Sequence, residues 1–221
     1  MRRTTELPII FSGEMVRAIL AGRKTQTRRV VKPVGNDEGF IIVEEGILRD
    51  GELWPYRSYD GDSWDDGNGC EVPLKCPYGV PGTRLWVRET HSFILANSRT
   101  DSEIVIYRAD REVEGQVWRP SIFMPRELSR IDLIVKSARV ERLQEISSND
   151  VAAEGCVFAW GDRQTLGGDE ERARWLLFSQ LWDRINAKRG YAWASNPWVW
   201  VVEFRMVPPY KTPEAKGRGT E

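Results

Sequence analysis

The feature of this sequence that most constrains its fold is a run of large apolar side chains at every second position. Successive side chains of a β-strand point to opposite faces, so residues two apart share a face. The run 198–207 therefore predicts a long strand with one face in a core. That face is made by Trp198, Trp200, Val202, Phe204 and Met206. Further strands are predicted at 8–11, 82–89, 103–107 and 131–143.

Three segments have helical features instead. The first begins after Ser12, a good N-cap, and ends at Gly22. A short helix is predicted over 147–155, opened by a capping box that includes Asp150. The last helix ends at Gly190 and is the most regular. Its apolar stripe is formed by Trp175, Phe178, Leu181, Trp182 and Ile185.

The order of these elements predicts the fold class. Strands outnumber helices and do not alternate regularly with them, which indicates an α+β fold with a mostly antiparallel barrel or sheet. The length of 221 residues fits one domain. We predict that this domain spans 1–207, with an irregular insertion at about 34–78 that is rich in Gly and Asp and leaves room for one hairpin around Phe40–Leu53. Residues 208–221 carry Pro, Gly and charge, and are predicted to form a disordered tail.

The composition argues against several kinds of site. His91 is the single histidine, which leaves few ways to build a metal site or a histidine-assisted nucleophile. Three cysteines, with the wrong spacing for a zinc site, fit a reducing compartment. No glycine-rich phosphate loop is present, because Gly167-Gly168 lacks its spacing and the following Lys. We therefore expect a cytoplasmic protein without cofactor, metal or membrane span.

One basic segment stands out on a chain with a net charge of −1. It follows the first predicted helix directly and contains Arg23, Lys24, Arg28, Arg29 and Lys32. Such a cluster either lines a small pocket or forms a local surface for RNA phosphates. The residues alone leave both interpretations open.

This segment resembles the hallmark motif of the ASCH family, in which Gly-x-Lys-Thr leads to an Arg a few residues on. Here it reads Gly22-Arg23-Lys24-Thr25. Three other segments agree in order and spacing, although Thr83 stands where the family has Asp. They are Gly82–Glu89, Leu143–Gly155 and Trp198–Phe204. The chain is most similar to longer phage and prophage members, and the resemblance implies a PUA-like β-barrel with flanking helices.

The resemblance also implies a chemistry. One bacterial branch of the superfamily hydrolyses the acetyl amide of acetylcytidine with a Lys base, a Thr nucleophile and a Glu proton donor. By position these roles fall on Lys24, Thr27 and Glu154. A modified nucleoside or RNA is the implied partner. The residues assigned to ligand binding are Thr25, Arg28, Arg29, Arg88 and Glu89. The sequence alone does not decide whether the last two face the pocket.

That chemistry requires particular pKa values at Lys24 and Glu154. Thr27 is a poor nucleophile unless a neutral amine takes its proton, so the pKa of Lys24 must be lowered. Burial and neighbouring cations would lower it, whereas the negative pole at the end of the first helix opposes this. That pole favours a protonated carboxyl at Glu154, which suits a proton donor. We expect Lys24 to be partly exposed, so that its loss costs only about 0.3–1 kcal/mol of stability.

Two other functions remain open at this stage. A PUA-like barrel can hold RNA or a modified base without chemistry, and related domains have been proposed to cut RNA. Hydrolysis requires Thr27 and Lys24 inside a small pocket. RNA binding requires cations spread along an open groove and an affinity that falls steeply with salt.

Overall fold

The structure is a computed structural model that describes residues 6–32, 40–49, 52–59, 72–73, 75–95, 103–156 and 170–208. For 40–49, 52–59, 72–73 and 170 only the backbone is described. The ten strands of these ranges are β1 (Glu6–Ile10), β2 (Gln26–Val30), β3 (Phe40–Arg49), β4 (Glu52–Tyr59), β5 (Val72–Pro73), β6 (Arg84–Arg88), β7 (His91–Leu95), β8 (Glu103–Tyr107), β9 (Asp132–Arg142) and β10 (Trp198–Met206). The α-helices are α1 (Gly13–Leu20), α2 (Ser148–Ala153) and α3 (Glu170–Asn186).

The central sheet has five strands in the order β1-β6-β9-β10-β2. Strands β1 and β6 are parallel, and the other three neighbouring pairs are antiparallel. Strands β3-β4-β5 and β7-β8 form two further antiparallel sheets. The predicted α+β class is therefore confirmed. Within the described ranges no strand pairing joins β1 to β2, so closure into a barrel stays a prediction.

Strand β10 has apolar contacts on both faces. Trp200, Val202 and Phe204 lie in the larger core, together with residues of β1, α1, β6 and β9. Val199 and Val201 lie in a second core, which is completed by α2 and α3. The sequence predicted the first face correctly but not the burial of the second. Both faces are covered because the larger core packs on one face of β10 while residues of α2 and α3 pack on the other.

Other predictions need correction at the level of elements. The hairpin in the insertion at 34–78 is longer than the range around Phe40–Leu53, because β3 and β4 pair over 40–59 and β5 adds a third strand beside β4. His91 opens strand β7, directly after β6. Residues 26–30 form strand β2, which the basic composition had concealed. The predicted disordered tail, apart from Pro208, and Cys70 lie outside the described residues.

Candidate functional site

The end of helix α1 positions Lys24. Ser12 caps the start of the helix by accepting a hydrogen bond from the backbone N–H of Met15. At its other end Gly22 has a φ of 70°, in the left-handed region that favours glycine. The chain turns back there, and the N–H of Lys24 donates to the carbonyl of Ala18 at 3.1 Å. Strand β2 starts two residues later and pairs with β10, and this pairing fixes the direction of the backbone that follows Lys24.

Helix α2 positions Glu154 from the opposite side. Ser147 and Asp150 form the predicted capping box at its start, and Glu154 is the C-cap. Gly155 follows with a φ of 84°. A Cβ atom at Gly155 would lie 2.9 Å from the Cβ of Lys24, so only glycine allows this close approach. The two ends are tied by a hydrogen bond from the N–H of Thr25 to the carbonyl of Ala153 at 2.9 Å.

Lys24 and Glu154 form a buried ion pair. The Lys24 Nζ donates to Glu154 Oε2 at 2.7 Å, to the carbonyl of Gln26 at 2.8 Å and to the carbonyl of Glu154 at 2.9 Å. Three acceptors thus use all three protons of the ammonium group. The Lys24 side chain is 0% exposed. The expectation that Lys24 is partly exposed was therefore wrong, because helix α2 covers it.

Burial also decides the acidity of this lysine. Burial has the largest effect on the pKa of Lys24 and lowers it from its ordinary 10.5. The Glu154 carboxylate acts in the opposite direction, whereas Arg29 lowers the pKa further. The net result is a lysine that gives up its proton more readily than one in water. This direction is the one that a general base requires.

Arg28 lies on the α2 side of strand β2 and connects three carboxylates. Its Nε donates to Glu141 at 2.9 Å, its Nη2 to Asp150 at 3.2 Å and its Nη1 to Glu154 Oε1 at 3.4 Å. Its side chain is 1% exposed. Glu154 therefore has a cation at each carboxylate oxygen. The positive charge of Arg28 is fully matched within the protein.

Thr27 and Arg29 lie on the other side of β2, because side chains alternate along a strand. Thr27 is buried. The guanidinium of Arg29 reaches across to β1, where Nη2 donates to the carbonyl of Ile10 at 2.6 Å. It lies over the ring of Phe11, 5.3 Å from the ring centre. Its Nε is buried without a hydrogen-bond partner. Arg29 thus bridges the gap between β1 and β2, the two edge strands of the central sheet.

A cavity of about 410 Å³ lies at this gap, between β1, β2 and helix α3. This volume is within the range of small-molecule sites. Its floor contains Thr27, Arg28, Arg29 and Glu154. Lys24 does not line it and lies behind Glu154, so Thr27 meets the stated requirement of lying in a small pocket and Lys24 does not. The wall from α3 and the turn after it includes Phe178, Leu181, Trp182, Ile185, Arg189 and Tyr191.

The structure brings together five of the eight predicted site residues. Thr25 is exposed and does not line the cavity. Arg88 donates to the carbonyls of Met124, at 3.2 Å, and Ile122. Glu89 is buried, and both of its carboxylate oxygens accept from Arg130 at 2.9 Å. Arg88 and Glu89 therefore belong to another part of the molecule, and the structure places neither in the cavity.

Several residues of the site were not predicted in their present roles. Glu141 and Asp150 hold Arg28, although Asp150 was identified as a helix cap. Phe178 and Trp182 were identified only as core residues of a helix, and both are also part of the cavity wall. Arg189 was missed because it is exposed near a helix end, as charged residues there normally are, so nothing in the sequence indicates that it lines the cavity. The sequence gives only a weak signal for these roles, because the roles depend on which face of α3 packs against β2.

Among the described residues, no group of three or more His, Cys, Asp or Glu side chains could hold a metal ion. None of the helices within those ranges is long and apolar enough to cross a membrane. No protein-family model, curated protein or solved structure matches the chain. The function is therefore argued from the arrangement of side chains around the cavity.

Proposed function

We propose that this chain is an ASCH-type, PUA-like protein that hydrolyses an acyl amide on a modified nucleoside or base without a metal. The observation that carries the proposal is the buried ion pair of Lys24 and Glu154, of which Glu154 lines a cavity together with Thr27. A nucleophile, a base and an acid are the groups that such a hydrolysis requires. A cavity of about 410 Å³ suits a ligand of nucleoside size.

Transfer of one proton within the ion pair produces both the base and the acid. When that proton moves from Lys24 to Glu154 across 2.7 Å, a neutral amine and a carboxylic acid result without a change in net charge. The lowered pKa of Lys24 favours this transfer. The amine then accepts the proton of the Thr27 hydroxyl as its oxygen attacks the acyl carbon. Glu154 returns its proton to the leaving nitrogen, and water hydrolyses the acyl-threonine ester afterwards.

The two neighbouring arginines have different roles in this proposal. Arg28 is held by Glu141 and Asp150, so it fixes the position of Glu154 rather than the ligand. Arg29 has an unpartnered Nε beside Thr27 and provides a hydrogen-bond donor for the ligand. The aromatic side chains Phe178 and Trp182 supply apolar faces against which a base can pack.

The proposal is tested by assaying a panel of N-acylated nucleosides with the wild type, Thr27→Val and Glu154→Gln. Thr27→Val keeps the shape of the side chain and removes the hydroxyl, so we expect at least about a hundredfold loss in kcat. Thr25→Val is the matched control, because Thr25 is exposed two residues away and does not line the cavity. It should retain wild-type activity. An inactive wild type, or a fully active Thr27→Val, would contradict the proposal.

A second candidate is a module that binds RNA or a modified base without catalysis. It is favoured by the saturation of the Lys24 ammonium, whose three protons all have acceptors within 2.9 Å. That arrangement also suits a purely structural cation. Affinity for a short RNA, measured over a series of salt concentrations, separates the two functions. A steep linear fall of log affinity with log salt would favour the binding module.

A further inference from the structure

The charges that line the cavity are strongly unequal. Four cations contribute to its surface, and they are Arg28, Arg29, Lys32 and Arg189. Among the residues that the structure describes, Glu154 is the single acidic one that lines it. Since Glu154 is paired with Lys24 and also contacts Arg28, it has no charge left for a ligand. The cavity therefore has a surplus of positive charge, although the chain as a whole has a net charge of −1.

Three of the four cations account for this surplus. Arg28 is neutralised by its carboxylate partners. Within the described part of the chain, no ion pair to a carboxylate involves Arg29, Lys32 or Arg189. The described contacts of the Arg29 guanidinium are a backbone carbonyl and two aromatic rings, and its Nε has no acceptor. Lys32 and Arg189 are exposed and therefore accessible to a ligand, and a neutral nucleoside would provide an anionic partner for none of the three charges.

The positions of the cations suggest where an anionic group would bind. Thr27 and Glu154 mark the reacting end of the cavity. Lys32 lies five residues beyond Thr27, which corresponds to at most about 18 Å of extended chain. Arg189 approaches from the turn after α3 and lines the same cavity. Tyr78 and Trp182 line the cavity as well and offer aromatic surface to a base. This layout has a reactive end, apolar surface and a cationic end.

We propose that the ligand of this cavity is a mononucleotide rather than a nucleoside. Its phosphate binds Lys32 and Arg189, with Arg29 contacting the sugar or phosphate, and the acylated base points toward Glu154 and Thr27. This inference rests on the proposed function for the reacting end. The phosphate site itself depends only on the charges of the cavity. A phosphomonoester carries up to two negative charges and is matched by lysine and arginine donors.

The first experiment measures binding, which does not require turnover. Affinities of the wild type are compared for cytidine, cytidine 5′-monophosphate and a short cytidine-containing RNA. We expect the monophosphate to bind about ten- to a hundredfold more tightly than cytidine, as hydrogen bonds to charged groups imply. Lys32→Gln and Arg189→Gln should each reduce this ratio. The matched control is Lys188→Gln, which removes an exposed charge next to Arg189 but outside the cavity. It should leave the ratio unchanged.

The second experiment compares kcat/KM for acylated cytidine with and without a 5′-phosphate. A higher value for the phosphorylated substrate supports the inference. Equal values, with equal affinities, would overturn it while leaving the hydrolase proposal intact. If the monophosphate binds more tightly but no acylated ligand is hydrolysed, the phosphate site stands and the hydrolase proposal fails. Tighter binding of the short RNA than of the monophosphate would overturn the mononucleotide assignment.

Discussion

Replacing Lys24 by methionine should destabilise the protein by an amount that its position behind Glu154 determines. Methionine keeps most of the length and volume of the side chain, so the change chiefly removes the ammonium group. The group is 0% exposed and donates to three acceptors. Two of these are backbone carbonyls, of Gln26 and Glu154, and the third is the Glu154 carboxylate.

The cost can be estimated from what the substitution leaves behind. A buried charge that loses its partner costs about 3–5 kcal/mol. Glu154 retains one weaker contact, because Arg28 Nη1 lies 3.4 Å from its second oxygen. That contact keeps the estimate within this range, even though two carbonyls also lose a donor. For a domain of this size, the corresponding fall in Tm is about 6–20 °C.

The assay is a double-mutant cycle of urea unfolding at neutral pH. It uses the wild type, Lys24→Met, Glu154→Leu and the double variant. Both single variants should be destabilised, because each leaves one buried charge. The double variant should recover much of the loss, because neither charge remains. Lys188→Met is the matched control, since Lys188 is exposed and its replacement should change stability by less than about 0.5 kcal/mol.

Two results would refute this reasoning. A cost below about 1 kcal/mol for Lys24→Met would mean that the ammonium contributes no more than an exposed charge at a helix end. Strict additivity in the double variant would mean that Lys24 and Glu154 are not coupled. Either outcome would also weaken the proposed proton transfer between them, which depends on the same contact.

Four further outcomes are expected. Gly155→Ala should lower the free energy of unfolding by more than Gly22→Ala in denaturation experiments; both have positive φ, but a Cβ meets Lys24 only at Gly155. Burial raises the pKa of the Cys156 thiol from 9.0 to about 11, so its alkylation, followed by peptide mass spectrometry, should keep accelerating up to about pH 11. Stability from this thiol should be complete below pH 9 and lost between pH 9 and about 11 in pH-dependent unfolding. Glu154→Gln should shift the alkylation profile of Cys156 to lower pH, because the Glu154 carboxylate raises that pKa. An alkylation rate that levels off near pH 9, or equal losses for the two glycine variants, would contradict these expectations.

The local parts of the fold were predictable from the sequence because their causes are local. Ser12 and Gly22 delimit α1 through a cap and a left-handed turn, each set by one residue. The Asp150 capping box opens α2 for the same reason. The alternating apolar residues of β10 identified the strand. Such signals act over a few residues and do not depend on the rest of the chain.

The burial of Lys24 could not be predicted in this way. It depends on helix α2, whose end at Glu154 is separated from Lys24 by 130 positions. The partners of Arg28 are similarly distant along the chain. Because they bind its guanidinium inside the protein, Arg28 is not free for the ligand-binding role that the sequence predicted. A basic segment looks the same in sequence whether its charges face a ligand, a carboxylate or solvent. The packing of distant elements, which no local pattern encodes, decides among these outcomes.

The position of strand β2 has a consequence for how the protein is made. The described sheet partner of β2 is β10, which is translated long after it. At about 5–20 residues per second, the 130 positions between Lys24 and Glu154 alone take roughly 7–26 s to synthesise. During that time Lys24 and Arg28 remain hydrated, and long-range closure must then remove their water in one late step. In a nascent chain the cavity is therefore incomplete until helix α3, which forms its wall, has been translated and has packed against β2.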